Sequence, residues 1–106
     1  MKRAALLLVL VLASLPLLAQ ETGKTFAGPA GNLYYEVRGG GAGTPLMLVN
    51  GGPGFDHMYL HVSNVWETLA KSRAVVFYDQ RGNGRSEALK PAQTSTLADQ
   101  IADLEA

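Results

Sequence analysis

Two apolar runs, Leu46-Met-Leu-Val49 and Ala74-Val-Val-Phe-Tyr78, each stop abruptly at a glycine-rich turn, Asn50-Gly-Gly-Pro-Gly54 and Asp79-Gln-Arg-Gly-Asn-Gly-Arg-Ser86. Runs of this length between such breakers are too short for helices and fit strands buried on both faces of a parallel sheet. A buried strand that delivers the chain to a loop of exposed backbone N–H groups is how α/β enzymes build sites at the carboxyl ends of their strands. Between the runs, Phe55 to Val62 reads as loop with a turn of helix. Ser63 can then cap a helix with Val65, Trp66 and Leu69 on one face, and Lys71 and Arg73 suit its carboxyl end. After the second turn Pro91 marks a boundary. Thr96 and Asp99 have the spacing of a capping box, and Leu97, Ile101 and Leu104 make an apolar stripe at helical spacing.

Upstream, Asn32 to Arg38 is rich in strand formers, Thr25 to Ala27 reads as a short strand, and Gly39 to Pro45 as a tight connection between two strands. Strand, helix, strand, helix in this order argues for a right-handed parallel βαβ unit. The fold class is therefore α/β, with about four strands and two helices.

The 106 residues allow one small domain at most. Met1-Lys2-Arg3 is a short positive start, Ala4 to Leu12 is unbroken apolar sequence, and Leu17-Leu-Ala19 leads into polar Gln20-Glu-Thr-Gly-Lys24. That order reads as a secretory signal peptide over 1–19, cleaved near Ala19. The alternative is a membrane anchor formed by uncleaved residues 4–19, an apolar span of 16 residues interrupted by Pro16, where a crossing takes about 20. Residues 20–31 form a polar lead-in to the domain. Without Lys2 and Arg3 the chain has 7 basic and 9 acidic residues, which gives no electrostatic case for nucleic acid. The absence of cysteine excludes disulfides and thiolate metal sites. The composition is that of a soluble, exported globular protein with no stable membrane partner after cleavage.

In the first turn Pro53 removes one donor and leaves the N–H groups of Gly51 and Gly52 free to point at a ligand. Such preorganised donors stabilise an oxyanion, and losing one costs about 3 kcal/mol of transition-state stabilisation; the other reading is a tight turn that merely ends a strand. The second turn reads as scaffold. Asp79 can accept from loop N–H groups or pair with Arg81, and Gly82 and Gly84 permit a sharp reversal. Gly39 to Pro45 is not a phosphate loop, since no lysine followed by Ser or Thr sits at the required spacing, and Gly82-Asn-Gly84 makes a weak dinucleotide fingerprint, with Glu87 where the third glycine would stand. His57 and His61 are four apart, but two imidazoles do not complete a zinc site and no acid sits at metalloprotease spacing. They are expected in surface or loop roles. Tyr34, Tyr35 and Trp66 are expected in core or half-buried positions. No cofactor and no metal is called for.

The residues Asn50-Gly-Gly-Pro-Gly54 resemble the HGGPG turn of the proline iminopeptidase (prolyl aminopeptidase) branch of the α/β-hydrolase superfamily, and Tyr78 to Ser86 resembles the DQRGxGxS turn of that branch. The resemblance runs from about Asn32 to Ala106. It implies that residues 32–106 are the amino-terminal portion of an incomplete domain, stopping before the nucleophile elbow. Leu46 to Val49 would be the third strand, with Gly52 first and Gly51 second as the oxyanion donor. Ala74 to Tyr78 would be the fourth, lying between the second and third. The fifth strand, its G-x-S-x-G elbow and the Ser-Asp-His triad would all follow residue 106. Where the family has histidine this chain has Asn50, which can still hydrogen-bond the loop.

The resemblance implies a serine hydrolase, exported on the reading of residues 1–19, that cleaves amides or esters of small molecules or peptides through an acyl-enzyme, without cofactor. The 106 residues alone lack the nucleophile and should be inactive, with the third strand as an open apolar edge. The alternatives are an epoxide hydrolase or dehalogenase type, with Asp at the elbow, and an inactive exported fragment or binding module.

Overall fold

The computed structural model describes residues 23–51 and 54–106; the expected signal peptide lies outside the described residues. Among these no helix is long and apolar enough to cross a membrane. Four strands, β1 (Lys24–Gly28), β2 (Gly31–Gly39), β3 (Gly43–Leu48) and β4 (Arg73–Tyr78), form one sheet in the order β1-β2-β4-β3. β1 and β2 are an antiparallel hairpin turned at Pro29-Ala30, β2 runs antiparallel to β4, and β3 runs parallel to β4. The sheet is mixed, incomplete as an α/β domain, and places the fourth strand between the second and third.

That order changes the role of the glycine tract. Gly39 to Gly43 does not join neighbours; it carries the chain past the start of β4 to its far side. Gly40 N donates to the Ala70 carbonyl (3.4 Å) and Gly43 N to that of Ser72 (3.1 Å). Gly39 has φ +69°, and a Cβ there would collide with the Ala70 carbonyl oxygen, so the passage requires glycine. β3 begins earlier than the apolar run, at Gly43, with a register irregularity before Leu46 where Pro45 has no N–H to give. Val49 lies just past it.

Between β3 and β4 come a 3₁₀ helix (His57–Val62) and α1 (Val65–Leu69). Asp56 caps the 3₁₀ helix by accepting from Met58 N at 2.9 Å. The cap of α1 falls on Asn64, which makes no side-chain cap bond; Ser63 Oγ still accepts from Val65 N at 3.3 Å. Trp66 and Leu69 pack on the core, whereas Val65 is exposed. Fully buried Val75 and Phe77, with Leu48 and Ala70, form that core, and Leu46 and Leu60 close it. Alternation along β2 and β4 sends Tyr34, Glu36, Val75 and Phe77 to this face. The other face carries Phe26, Tyr35, Val37, Met47, Val76 and Tyr78 and is open, forming with Leu104 and Ala106 a cavity of about 410 Å³.

α2 (Leu97–Glu105) has the expected capping box: Asp99 N donates to Thr96 Oγ1 (3.2 Å) and Thr96 N to Asp99 Oδ2 (2.8 Å). Its apolar stripe is largely exposed. Leu97 is 78% exposed and Ile101 is also outside, while Asp103 is the buried residue of the helix.

Candidate functional site

Because β3 and β4 are parallel and in register, Leu48 beside Phe77, both glycine turns leave the same rim of the sheet. Gln80 Nε2 donates to the Asn50 carbonyl at 3.0 Å and ties one turn to the other. Asn50, Gly51 and Gly54 face Gln80, Arg81 and Gly82 across a cleft of about 380 Å³. Asn50 is buried. Its Nδ2 donates to the Phe55 carbonyl at 2.8 Å and closes the turn on itself. Pinned that way, its Oδ1 has no hydrogen-bond partner among the described residues. Asparagine here thus does what was expected of it, holding the loop.

Of the two expected oxyanion donors, Gly52 lies outside the described residues. The Gly51 amide donates to the Tyr59 hydroxyl at 2.8 Å. Tyr59 is half-exposed, so serving another oxygen requires only that this hydroxyl move aside. The spacing of the motif gave no hint of Tyr59.

The second turn is built around Asp79, which is fully buried. Its Oδ1 accepts from His57 N (2.8 Å) and His57 Nδ1 (2.7 Å), and Oδ2 from Arg85 N (2.8 Å). Gly84, at φ +52°, passes so close to this carboxylate that a Cβ would clash with it. Ser86 Oγ donates to the Asp79 carbonyl (2.6 Å) and accepts from Tyr34 N (2.9 Å), sewing the loop to β2. Asp79 therefore accepts loop N–H groups, as one of its two expected roles had it. It does not pair with Arg81. Positive φ at Gly82 turns the chain, and Arg81 reaches α2 instead, donating to both Asp103 oxygens (Nε 2.7 Å, Nη2 2.6 Å) and to the Thr94 and Asp99 carbonyls. The bond to Asp103 raises the guanidinium above its already high range.

The histidines are corrected too. His57 is 1% exposed, because the 3₁₀ helix lays it on the covered face beside Phe77. Its Nε2 meets Glu36 Oε1 at 3.0 Å, and His61 Nε2 meets Glu36 Oε2 at 3.3 Å. Tyr34 donates to Glu36 Oε1 at 2.8 Å, with Arg38 and Arg85 at 3.4 and 3.7 Å. Burial alone would push the Glu36 carboxyl up; the bonds from Tyr34 and His57 and the histidine charges outweigh it and hold the group below its usual range. Burial lowers His61 and, with Glu36 alongside, raises Tyr34. The acid that local spacing around the histidines lacked is Glu36, from β2. A carboxylate at an inward position of an alternating strand was the signal.

No family model matches the sequence. The proline iminopeptidase of Levilactobacillus brevis is 38% identical over 63 residues, which is 59% of this chain and 21% of that enzyme. Among solved structures, an α/β hydrolase from Sphaerobacter thermophilus is 29% identical with a TM-score of 0.59, over 76% of this chain and 29% of its own. A Pseudomonas aeruginosa protein described as an epoxide hydrolase is 35% identical with a TM-score of 0.60, over 78% and 26%. The chain thus spans between a fifth and a third of the length of these proteins. Sheet order, paired turns and these likenesses agree, and the chain belongs to the α/β-hydrolase superfamily, of which it carries part of one domain.

Proposed function

We propose that this chain is the oxyanion-binding part of an exported serine hydrolase that cleaves amides or esters through an acyl-enzyme, in the manner of the proline iminopeptidases. What carries the reading is the turn after β3, with the Gly51 amide at the rim where α/β sheets bind ligands and a neighbouring turn fixed by Asp79. A nucleophile on a further strand beside β3 would bring the reacting carbonyl to Gly52 or Gly51, whose amides take the developing negative charge. The serine, its histidine base and the orienting acid are supplied outside residues 1–106, and the amino-terminal residues direct export. The substrate class is a small amide, ester or short peptide.

The test is to express the whole protein and treat it with a fluorophosphonate, then assay prolyl p-nitroanilide beside a p-nitrophenyl ester. One covalent label on a serine, with turnover of either substrate, is the expected result. No label, with an epoxide hydrolysed instead, would replace the reading by the epoxide hydrolase type. The likeness to the Pseudomonas protein favours that second reading, in which the same turn would serve an aspartate nucleophile.

A further inference from the structure

Glu36, His57 and His61 bring one ligand atom each within 4.8 Å of one another, away from the cleft between the turns. We propose that these three side chains bind a divalent transition-metal ion of the zinc class. A tetrahedral ion bound at about 2.1 Å by nitrogen and oxygen holds its ligand atoms about 3.4 Å apart. The carboxylate already stands 3.0 Å from His57 Nε2 and 3.3 Å from His61 Nε2. These contacts use the two different oxygens of Glu36, Oε1 for His57 and Oε2 for His61, so a small turn of the carboxylate and a closing of the two imidazoles complete the set. His61 can do this, because its side chain is 20% exposed at the mouth of the cluster while that of His57 is fixed at 1%.

The surroundings are those of a ligand set. Asp79 Oδ1 accepts a hydrogen bond from His57 Nδ1, which orients the ring and leaves Nε2 as its metal-facing atom, the carboxylate–histidine–metal pattern. The His61 ring is stacked on Phe77 at 4.3 Å, which sets its plane. Two imidazoles and one carboxylate suit zinc, cobalt or nickel; calcium and magnesium want oxygen ligands throughout. The Arg38 and Arg85 guanidiniums oppose a cation. Both are side chains about a third exposed, and they give way by swinging outward when the ion enters beside His61. Bound there, the ion clamps β2 to the 3₁₀ helix and, through His57, to the turn at Asp79.

The experiment is a cobalt(II) titration of the whole protein after chelator treatment, followed by visible absorption and by thermal denaturation. The expected result is a tetrahedral cobalt spectrum saturating at one equivalent, bleached by zinc, with a metal-dependent rise in the melting midpoint. His61→Ala, at the partly exposed ligand, should keep the native circular dichroism and weaken binding at least tenfold; Glu36→Gln should weaken it as well. Absence of a saturable spectrum overturns the proposal. So does an unchanged titration in folded His61→Ala, which would put the ion elsewhere.

Discussion

At the scale of single residues the molecule depends on a few buried polar groups whose partners are far away in sequence. His57 spans two of them, Asp79 at the end of β4 and Glu36 in β2. Removing it leaves two buried carboxylates without their shared partner, which is far costlier than losing an exposed pair. His57→Ala should therefore destabilise the chain by about 3 kcal/mol, read as a lower urea midpoint; a change below about 1 kcal/mol, the size of an exposed pair, would show that the cluster is not structural. None of this could be read locally. Glu36 and Asp79 stand 21 and 22 positions from His57, and the histidine spacing alone pointed to the surface. Arg81 misled for a related reason. Its nearest carboxylate in sequence is Asp79, but the chain reversal at Gly82 aims it at Asp103.

At the scale of elements, what depended on neighbouring residues was legible. Both parallel strands follow from short apolar runs between breakers, and the Thr96–Asp99 box follows from its spacing. Hydrogen bonds from Thr94 and Thr96 hold the Asp99 carboxyl down at about 2. Because this pKa is depressed on folding, the stability it contributes is present above about 4 and is lost as pH falls toward 2. Asp99→Asn should lower the melting midpoint at pH 7, and the gap to the parent should shrink as pH drops through that window. A gap independent of pH would mean the box contributes nothing through its charge. Thr96→Ala, which removes the other half, should cost about 1 kcal/mol by denaturant titration. The burial of α2 was not legible. Its stripe is regular in spacing, but the Arg81–Asp103 pair holds the buried side of the helix and Leu97 and Ile101 stand outside. The connection from Gly39 to Gly43 looked like a hairpin for want of any local sign that a strand would insert between its neighbours; only the family resemblance placed β4 there.

At the scale of the whole molecule, one sheet face is covered and the other is open among the described residues. Val37 and Met47, side by side across β4 through Val76, are 50% and 45% exposed, and β3 is an edge strand with no further neighbour among the described residues. An edge with apolar flanks pairs with other chains. The 106-residue chain should therefore associate as its concentration rises, and Met47→Lys should shift its sedimentation toward the monomer; identical profiles for the two would mean that this face plays no part. The same geometry leaves β3 free to accept a further strand, and the turn after β3 is where a nucleophile on that strand would meet the glycine amides. The most direct measurement is a crystal structure of the whole protein bearing a phosphonate adduct. The account predicts the phosphonyl oxygen within about 2.7–3.1 Å of the Gly52 or Gly51 nitrogen, with the Tyr59 hydroxyl displaced where Gly51 is the donor. A phosphonyl oxygen bound elsewhere, with the Gly51 amide still on Tyr59, would contradict it.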